Sequence, residues 1–322
     1  MSSLSDADTI ASINNANIQI NRYFAIFIFV FGYTGNILNI LVLRQGKLRS
    51  NPCAWFFLVS SIASLVFYST GLTTRILSGW NLDFTSHNQA SCKLRGFFAL
   101  VSPTITLWLI VLASIDRWLA SSKLAPRREK STLKNAQRCT ILVVLVSAGF
   151  YIQTFICYEA NVINAPLQCY SKSLECRFVA DISFALISIL CPLFMMVLFG
   201  LLTIDNIRQN YRQVSQTNSI ELVGSTRRKK LDRQLIIMLI FQVTLLTILS
   251  LPIAIQRLYS TVTLNKSKTA LQNTIENFYF NFVLILIYMA LGLPFYIYTL
   301  TGVRIFRKGL SKVLRNFCKE HE

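Results

Sequence analysis

Seven stretches without charged residues divide the chain. They are 23–43, 50–74, 96–115, 139–158, 182–204, 234–256 and 277–303, and each contains 20 to 27 residues. An α-helix of about 20 residues crosses the hydrocarbon layer of a bilayer. Because backbone groups in lipid must pair within their own segment, each stretch is predicted to be a transmembrane helix. The stretches are too long, and alternate too little in polarity, to be strands of a membrane barrel.

Lysine and arginine concentrate in alternate connections between these stretches. If the N-terminus lies outside, the inner segments carry 22 of the 32 basic residues and the outer segments carry 9. The remaining one, Arg117, lies at the end of a helix and is counted with neither side. Inner loops of membrane proteins are enriched in these residues. We therefore expect a multi-pass protein of the plasma membrane with an extracellular N-terminus and a cytoplasmic C-terminus.

Composition agrees with this topology, since 53% of the residues are hydrophobic and only 14% are charged. The net charge of +18 is then mostly cytoplasmic and faces anionic membrane lipid, so nucleic-acid binding need not be invoked. The N-terminus has no basic region followed by an apolar core, so the first helix is expected to act as the insertion signal.

Three regions are predicted along the chain. Residues 1–21 form an extracellular tail, 22–303 an all-α bundle of seven transmembrane helices, and 304–322 a cytoplasmic tail. In that last region apolar residues recur every three or four positions between basic ones, which predicts a short amphipathic helix on the membrane surface. Cys318 in it is a candidate for palmitoylation, and a plain reduced cysteine is the alternative.

Several motifs resemble those of rhodopsin-like (class A) G-protein-coupled receptors over essentially the whole chain. They include "GNILNILVL", "SIDRW", Cys92 placed 25 residues before Arg117, Pro192, Pro252 and "FYIYTLTGVRIFRKGL". The stretches "FGLLTIDNIRQ" and "KKLDRQLIIMLIFQ" resemble neuropeptide-like and chemosensory orphan receptors of invertebrates.

The resemblance implies a receptor and not an enzyme. Such a receptor passes the binding of an extracellular peptide or small molecule to a heterotrimeric G protein by displacing helix six. A channel or transporter subunit is the alternative, but it would favour membrane-embedded charges or broken helix pairs, and the seven stretches lack charges.

The activation switch that the resemblance implies lies at the cytoplasmic ends of the helices. Arg117 is expected to bridge Asp116 and Asp232 at rest, beside Trp118 and Tyr298, because a guanidinium can fork to two carboxylates. The alternative is that Asp116 and Arg117 only mark the membrane edge.

Eight cysteines are present, of which Cys92, Cys169 and Cys176 lie outside by the predicted topology. The resemblance implies a disulfide from Cys92, with Cys169 favoured and Cys176 as the alternative partner. The other cysteines are expected to be buried apolar residues. Asn265 begins the sequon Asn-Lys-Ser in the third outer loop and is a candidate for glycosylation.

Some positions depart from the family pattern. Ser64 stands where an Asp is usual, and Pro294 lies four residues before Tyr298 instead of three. Both positions belong to the family's sodium site, so agonist binding should not respond to sodium. Ser250 replaces the usual Trp of helix six.

The ligand is the least defined part of the prediction. Helix three has no carboxylate between Arg95 and Asp116 to pair with an amine, and no lysine lies between Glu276 and Arg304 to form a retinal Schiff base. No cofactor and no metal site are expected. A peptide or a small anionic ligand would suit a pocket of apolar walls with basic anchors, lined by Arg75, Arg95, Phe98, Ile253, Arg257, Phe280 and Tyr288. The alternative is that these aromatic residues only pack and the arginines extend to the interface.

Overall fold

The computed structural model describes residues 2–46, 48–162, 167–214, 223–263, 266–300, 306–307, 309–313 and 315. Seven helices in it are long and apolar enough to cross a membrane, which confirms the predicted bundle. Helix one to helix seven, in chain order, are Asp6–Leu43, Pro52–Gly79, Gln89–Ser121, Leu133–Cys157, Leu174–Gln209, Ile236–Val262 and Ala270–Gly292.

Three of these helices contain a π-helical segment. The segments are Ile20–Phe24 in helix one, Tyr68–Leu72 in helix two and Phe184–Leu190 in helix five. The α-helical elements are Ser2–Gln19, Ala25–Leu43, Pro52–Phe67, Thr73–Gly79, Gln89–Ser121, Ala125–Arg128, Leu133–Tyr151, Thr154–Cys157, Leu174–Ser183, Cys191–Val214, Val223–Val262, Ala270–Gly292 and Pro294–Leu300. Phe84–Ser86 is a 3-10 turn.

The N-terminal region is helical from Ser2 and continues into helix one. The predicted tail 1–21 is therefore largely helix, while its location outside the membrane stays a prediction. The boundaries 22–303 and 304–322 also stay predictions.

Polar residues begin the helices. The Asn51 side chain accepts hydrogen bonds from the amides of Cys53 and Ala54 at 3.0 and 3.3 Å, and Pro52 occupies the first helical turn, where its missing N–H costs nothing. Thr132 and Thr269 cap helices four and seven in the same way. Pro294 starts a new helical segment directly after helix seven.

Helix three lies at the centre of the bundle and helix four at its edge. Over the most apolar 18 residues of each helix, 72% of the residues are buried in helix three and only 22% in helix four. The exposed residues of helix four include Ile141, Leu145 and Ile152, which suit contact with lipid acyl chains.

Helices one, two and seven approach closely around Tyr68. The Tyr68 hydroxyl donates to the carbonyl oxygen of Tyr288 at 2.5 Å. A Cβ atom at Gly32 would lie 2.0 Å from the Tyr68 oxygen, and one at Gly292 would lie 2.5 Å from it. Only glycine permits this approach. The Asn36 amide adds hydrogen bonds to the carbonyls of Gly32 and Leu291.

A short antiparallel hairpin joins helices four and five. Its strands are Tyr158–Glu159 and Tyr170–Ser171, with Tyr158 paired to Ser171 and Glu159 to Tyr170. Two disulfides hold this connection, so the two ends of the bundle are named below as the disulfide end and the Arg117 end.

Candidate functional site

Asp116 and Arg117 form a buried ion pair near the last turn of helix three. Arg117 Nη2 and Nε lie 2.6 and 3.2 Å from Asp116 Oδ2, and the two residues are 2% and 6% exposed, respectively. The Ser131 hydroxyl, from the following loop, donates to Asp116 Oδ1 at 2.5 Å. Both carboxylate oxygens are thus bonded, as a buried charge requires.

Asp232 is the predicted second partner of Arg117, and the distance between their side chains is not described. The backbone of Asp232 lies in the helix Val223–Val262, and its side chain is outside the described residues. Cys318 and Asn265 also lie outside the described residues. The Arg117–Asp232 bridge, the palmitoylation and the glycosylation all stay predictions.

Trp118 is half-buried and connects three elements. Its ring centroid lies 5.4 Å from that of Phe199 in helix five, and the guanidinium carbon of Arg127 lies 5.3 Å from the ring. Arg127 belongs to the short helix Ala125–Arg128. The indole therefore packs between helix five and the loop that also supplies Ser131.

Tyr298, in the helix Pro294–Leu300 that follows helix seven, contacts helix six at the same end. Its buried hydroxyl donates to the amide oxygen of Gln242 in helix six. Its ring packs between those of Phe57 and Phe306, with centroids 5.4 and 5.5 Å away. Gln242 was not predicted from the sequence, because one polar residue in an apolar helix does not reveal its partner.

Two disulfides lie at the disulfide end. One joins helix three to the loop between helices four and five, and the other joins the end of helix four to the start of helix five. Cys92 is bonded to Cys169, with Cα atoms 5.6 Å apart, and Cys157 is bonded to Cys176, with Cα atoms 5.4 Å apart. The expectation that Cys157 is a plain buried residue was wrong, because helix four ends at this residue and brings it to the loop.

The remaining cysteines also differ in part from expectation. Cys53 is buried, but Cys139 and Cys191 are exposed on the surface of the bundle. An apolar side chain on a membrane helix can face lipid as readily as the core, which is why burial was wrongly predicted for these two.

A buried ion cluster at the disulfide end centres on Asp181, which was not among the site residues predicted from the sequence. Asp181 is fully buried and pairs with Arg257 of helix six. The Tyr170 hydroxyl donates to Asp181 Oδ1 at 2.9 Å, and Arg177 Nε lies 3.7 Å from Oδ2. Burial raises the pKa of Tyr170, so its hydroxyl keeps the proton that it donates.

Aromatic rings enclose the other faces of Arg257. Its guanidinium carbon lies 5.3 Å from the centroid of Phe184 and 4.9 Å from that of Phe280. Arg257 was predicted as a ligand anchor, and the structure engages it in an internal pair. The sequence signal for this cluster was the Arg177 and Asp181 pair, one helical turn apart and directly before an apolar stretch.

Two cavities open near the disulfide end. The larger has a volume of about 340 Å³ and is lined by Asn17, Asn21, Arg75, Ser78, Asn81, Asp83, Ser86, His87, Arg95, Leu167, Gln168 and Asn281. The smaller, of about 60 Å³, lies over the Asp181 cluster and includes Tyr288, Arg257, Arg75 and Arg95.

The predicted pocket residues separate into two groups. Arg75 and Arg95 line both cavities, and Arg257 and Tyr288 line the smaller one. Phe98 and Ile253 line neither of these two cavities, so their place in a ligand pocket stays a prediction. Phe98 is 38% exposed on the outside of helix three, and Ile253 is fully buried inside the bundle.

The Phe280 ring packs against the guanidinium groups of Arg75 and Arg257. Its ring centroid is 6.0 Å from the guanidinium carbon of Arg75. Arg75 Nη1 donates to Asn281 Oδ1 at 2.8 Å, which ties helix two to helix seven. Arg95 Nη1 lies 3.3 Å from Asp83 Oδ2 and donates to Thr85 Oγ1 at 2.9 Å.

No group of three histidine, cysteine, aspartate or glutamate side chains in the described part of the chain could hold a metal ion. At the disulfide end basic and amide groups face a cavity, and at the Arg117 end an ion pair lies beside aromatic rings.

The chain is similar to known receptors along most of its length. The family described as 7 transmembrane receptor (rhodopsin family) matches residues 35–307. Curated relatives include rhodopsin of Galeus melastomus, 30% identical over 97 residues, which are 30% of this chain and 27% of that protein. Rhodopsin of Zeus faber is 26% identical over 111 residues, which are 34% of this chain and 31% of that protein.

These alignments span less than a third of the length of either curated relative. The family match is broader, since it runs from helix one to the segment that follows helix seven and includes both ends of the bundle. The chain therefore belongs to the rhodopsin family of seven-transmembrane receptors, which are receptors and not enzymes.

Proposed function

We propose that the protein is a plasma-membrane receptor that passes the binding of an extracellular ligand to a heterotrimeric G protein. Family membership supports this role. The distribution of lysine and arginine supports an extracellular N-terminus. The two disulfides support the same orientation, because disulfides persist in oxidising space and both lie at the end opposite Arg117.

The observation that carries the proposal is the buried Asp116–Arg117 pair. A guanidinium that is only 2% exposed can hold a second acid from a neighbouring helix, and removing that acid changes which arrangement of the helices is stable. We infer that Asp232 of helix six is this second acid at rest. Ligand binding then shifts the population toward a state in which helix six moves away and a G protein binds.

Asp232→Asn tests this switch. The amide keeps the size of the side chain and removes its charge, so the resting state should lose stability and basal nucleotide exchange on a G protein should rise. Glu129→Gln is the matched control, because Glu129 is an exposed acid in the loop at the same end. Basal exchange equal to that of the wild type, at equal surface expression, would count against the proposed bridge.

Conductance and nucleotide exchange, measured in the same membranes, distinguish a receptor from a channel or transporter. Conductance without any nucleotide exchange, under every ligand tested, would support that alternative. The ligand is proposed to be a peptide or a small molecule, of the kind that neuropeptide-like or chemosensory receptors recognise. A retinal Schiff base is not proposed, because no lysine lies between Glu276 and Arg304.

Two modifications belong to the same proposal. A glycan on Asn265 would lie on the extracellular side, and a palmitoyl group on Cys318 would anchor the cytoplasmic tail. Removal of N-glycans should lower the apparent mass of the wild type and leave Asn265→Gln unchanged. Radiolabelled palmitate should enter the wild type and not Cys318→Ser.

A further inference from the structure

The cavity of about 340 Å³ lies away from the centre of the bundle. It is lined by helices one, two, three and seven, by the loop between helices two and three and by the loop between helices four and five. The cavity beside the Asp181 cluster has a volume of only about 60 Å³. Among the described residues that line it, every one except Leu167 is polar or charged. A lining of this kind suits a small polar ligand and not an apolar one.

The charges in this cavity leave one cation without a bonded acid. Asp83 is already occupied, since its oxygens bind Arg95, Thr85 and Ser86. Arg75 instead bonds to the neutral amide of Asn281 and approaches the neutral hydroxyl of Tyr288, and its Nη2 atom is buried with no acid beside it in the described part of the chain. Because Arg75 is only 3% exposed, water compensates its charge poorly.

The opposite wall offers hydrogen-bond acceptors. Asn17 and Asn21 lie one turn apart on helix one, and both line the cavity. Their Oδ1 atoms are buried, and neither has a donor among the residues that the structure describes. A bound molecule with N–H groups would satisfy both oxygens, as a bound carboxylate would satisfy Arg75.

We propose that this cavity binds a ligand that combines a carboxylate with N–H donors, as an amino acid or the carboxyl-terminal residue of a peptide does. The inference rests on the receptor function proposed above and specifies its ligand class. The carboxylate binds Arg75, and the N–H groups bind Asn17 and Asn21. The volume is at the small end of the range of about 300–1,000 Å³ typical of ligand sites.

Arg75 also gives the ligand a route to the bundle. Its hydrogen bond to Asn281 joins helix two to helix seven. A carboxylate bound to Arg75 beside this hydrogen bond would therefore stabilise one relative position of the two helices. A ligand changes a conformational equilibrium only through such a difference in binding between states.

The test is thermal denaturation of the full-length purified receptor with two sets of probes. The first set is the free amino acids, and the second is short peptides, each prepared as the carboxylic acid and as the C-terminal amide. A compound that binds the folded state raises the unfolding temperature. At least one acid should do so, and its amide should bind about 10- to 100-fold more weakly. Free amino acids and peptides are thereby distinguished as sources of the carboxylate.

Three variants assign the contacts. Arg75→Gln should abolish the preference for the acid over the amide, and Arg75→Lys should keep part of it. Lys268→Gln is the charge-matched control, because Lys268 lies at the same end, pairs with Glu276 and does not line the cavity. It should bind like the wild type.

A double variant tests the other half of the site even if changes at Arg75 prevent folding. Asn17→Leu combined with Asn21→Leu should weaken the binding of amino acids. The binding of a carboxylate that has no N–H groups should not change. The proposal is overturned if no acid in either set shifts the unfolding temperature, if amides bind as well as acids, or if Arg75→Gln keeps the preference. G-protein exchange is measured separately, so that binding without exchange would contradict the receptor function and not the ligand class.

Discussion

Replacement of Asp181 by asparagine should destabilise the protein strongly. The carboxylate is fully buried and lies between Arg257 and Arg177, while Tyr170 donates to it at 2.9 Å. Asparagine keeps the shape and one acceptor oxygen, so the hydrogen bond from Tyr170 survives. The loss is therefore that of the charge, and the Arg257 guanidinium remains buried without an acid.

The magnitude follows from that uncompensated cation. Removing one partner of a buried ion pair costs about 3–5 kcal/mol. Phe184 and Phe280 still face the guanidinium of Arg257 at 5.3 and 4.9 Å, and cation–π contacts of this kind contribute about 0.5–2 kcal/mol. We expect a cost near the lower limit, about 3 kcal/mol, which corresponds to a decrease of roughly 5–10 °C in unfolding temperature.

Thermal unfolding of the purified protein, followed by tryptophan fluorescence, measures this change. The control is Glu276→Gln, because the Glu276–Lys268 pair is partly exposed and its loss should cost about 1 kcal/mol or less. Asp181→Leu combined with Arg257→Met should recover most of the stability, since both members of the fully buried pair become apolar. Arg177, whose side chain is 18% exposed and which also donates to Ser260, keeps part of its hydration and this hydrogen bond. An unfolding temperature of Asp181→Asn within about 2 °C of the wild type, where roughly 5–10 °C is expected, would refute the reasoning. So would a double variant no more stable than the single one.

Three further comparisons, of two disulfides, two glycines and two cations, separate other contributions to stability and binding. Cys92→Ser should cost more than Cys157→Ser, about 4 against about 3 kcal/mol, because the disulfides close loops of 77 and 19 residues; unfolding under non-reducing conditions measures both. Gly32→Ala should destabilise by about 1–3 kcal/mol, since its Cβ would lie 2.0 Å from the Tyr68 oxygen. Gly149→Ala, where a Cβ meets nothing within 4 Å, should stabilise by up to about 1 kcal/mol. Exchanging sodium for an inert cation should leave the affinity of any agonist unchanged.

Each of these expectations has a contrary result. Equal losses from the two disulfides would show that loop closure is not the source of their stabilisation. Equal effects at the two glycines would mean that helix propensity, and not the close approach to Tyr68, decides the outcome. A clear decrease in agonist affinity with sodium would show that the bundle holds the ion despite its serine in helix two.

The seven helices could be predicted because the relevant physics is local. A helix rises 1.5 Å per residue, the hydrocarbon layer has a fixed thickness, and a charge in lipid is costly. The ends of the helices are local as well, since residues such as Asn51 and Pro52 form the cap within four positions of the chain.

The partners of polar residues could not be predicted in the same way. Asp181 and Arg257 are separated by 76 positions, and Tyr298 and Gln242 by 56. Charge alone placed Arg257 near the mouth of the bundle, where a ligand and an internal acid are equally good partners. Cys157 shows the same limit, because its disulfide partner Cys176 lies 19 positions further along the chain, in the next helix.

The sequence by itself therefore determined the number of helices, the enrichment of basic residues at one side and the residues that mark the family. Only the tertiary structure decided which faces of the helices meet, and so it separated Phe98 on the outside from Arg75 at the cavity. The physical reason is that membrane lipid, and not water, surrounds the helices. Lipid accepts the same apolar side chains as the core does, so hydrophobicity specifies that a helix spans the membrane and not how it is rotated within the bundle.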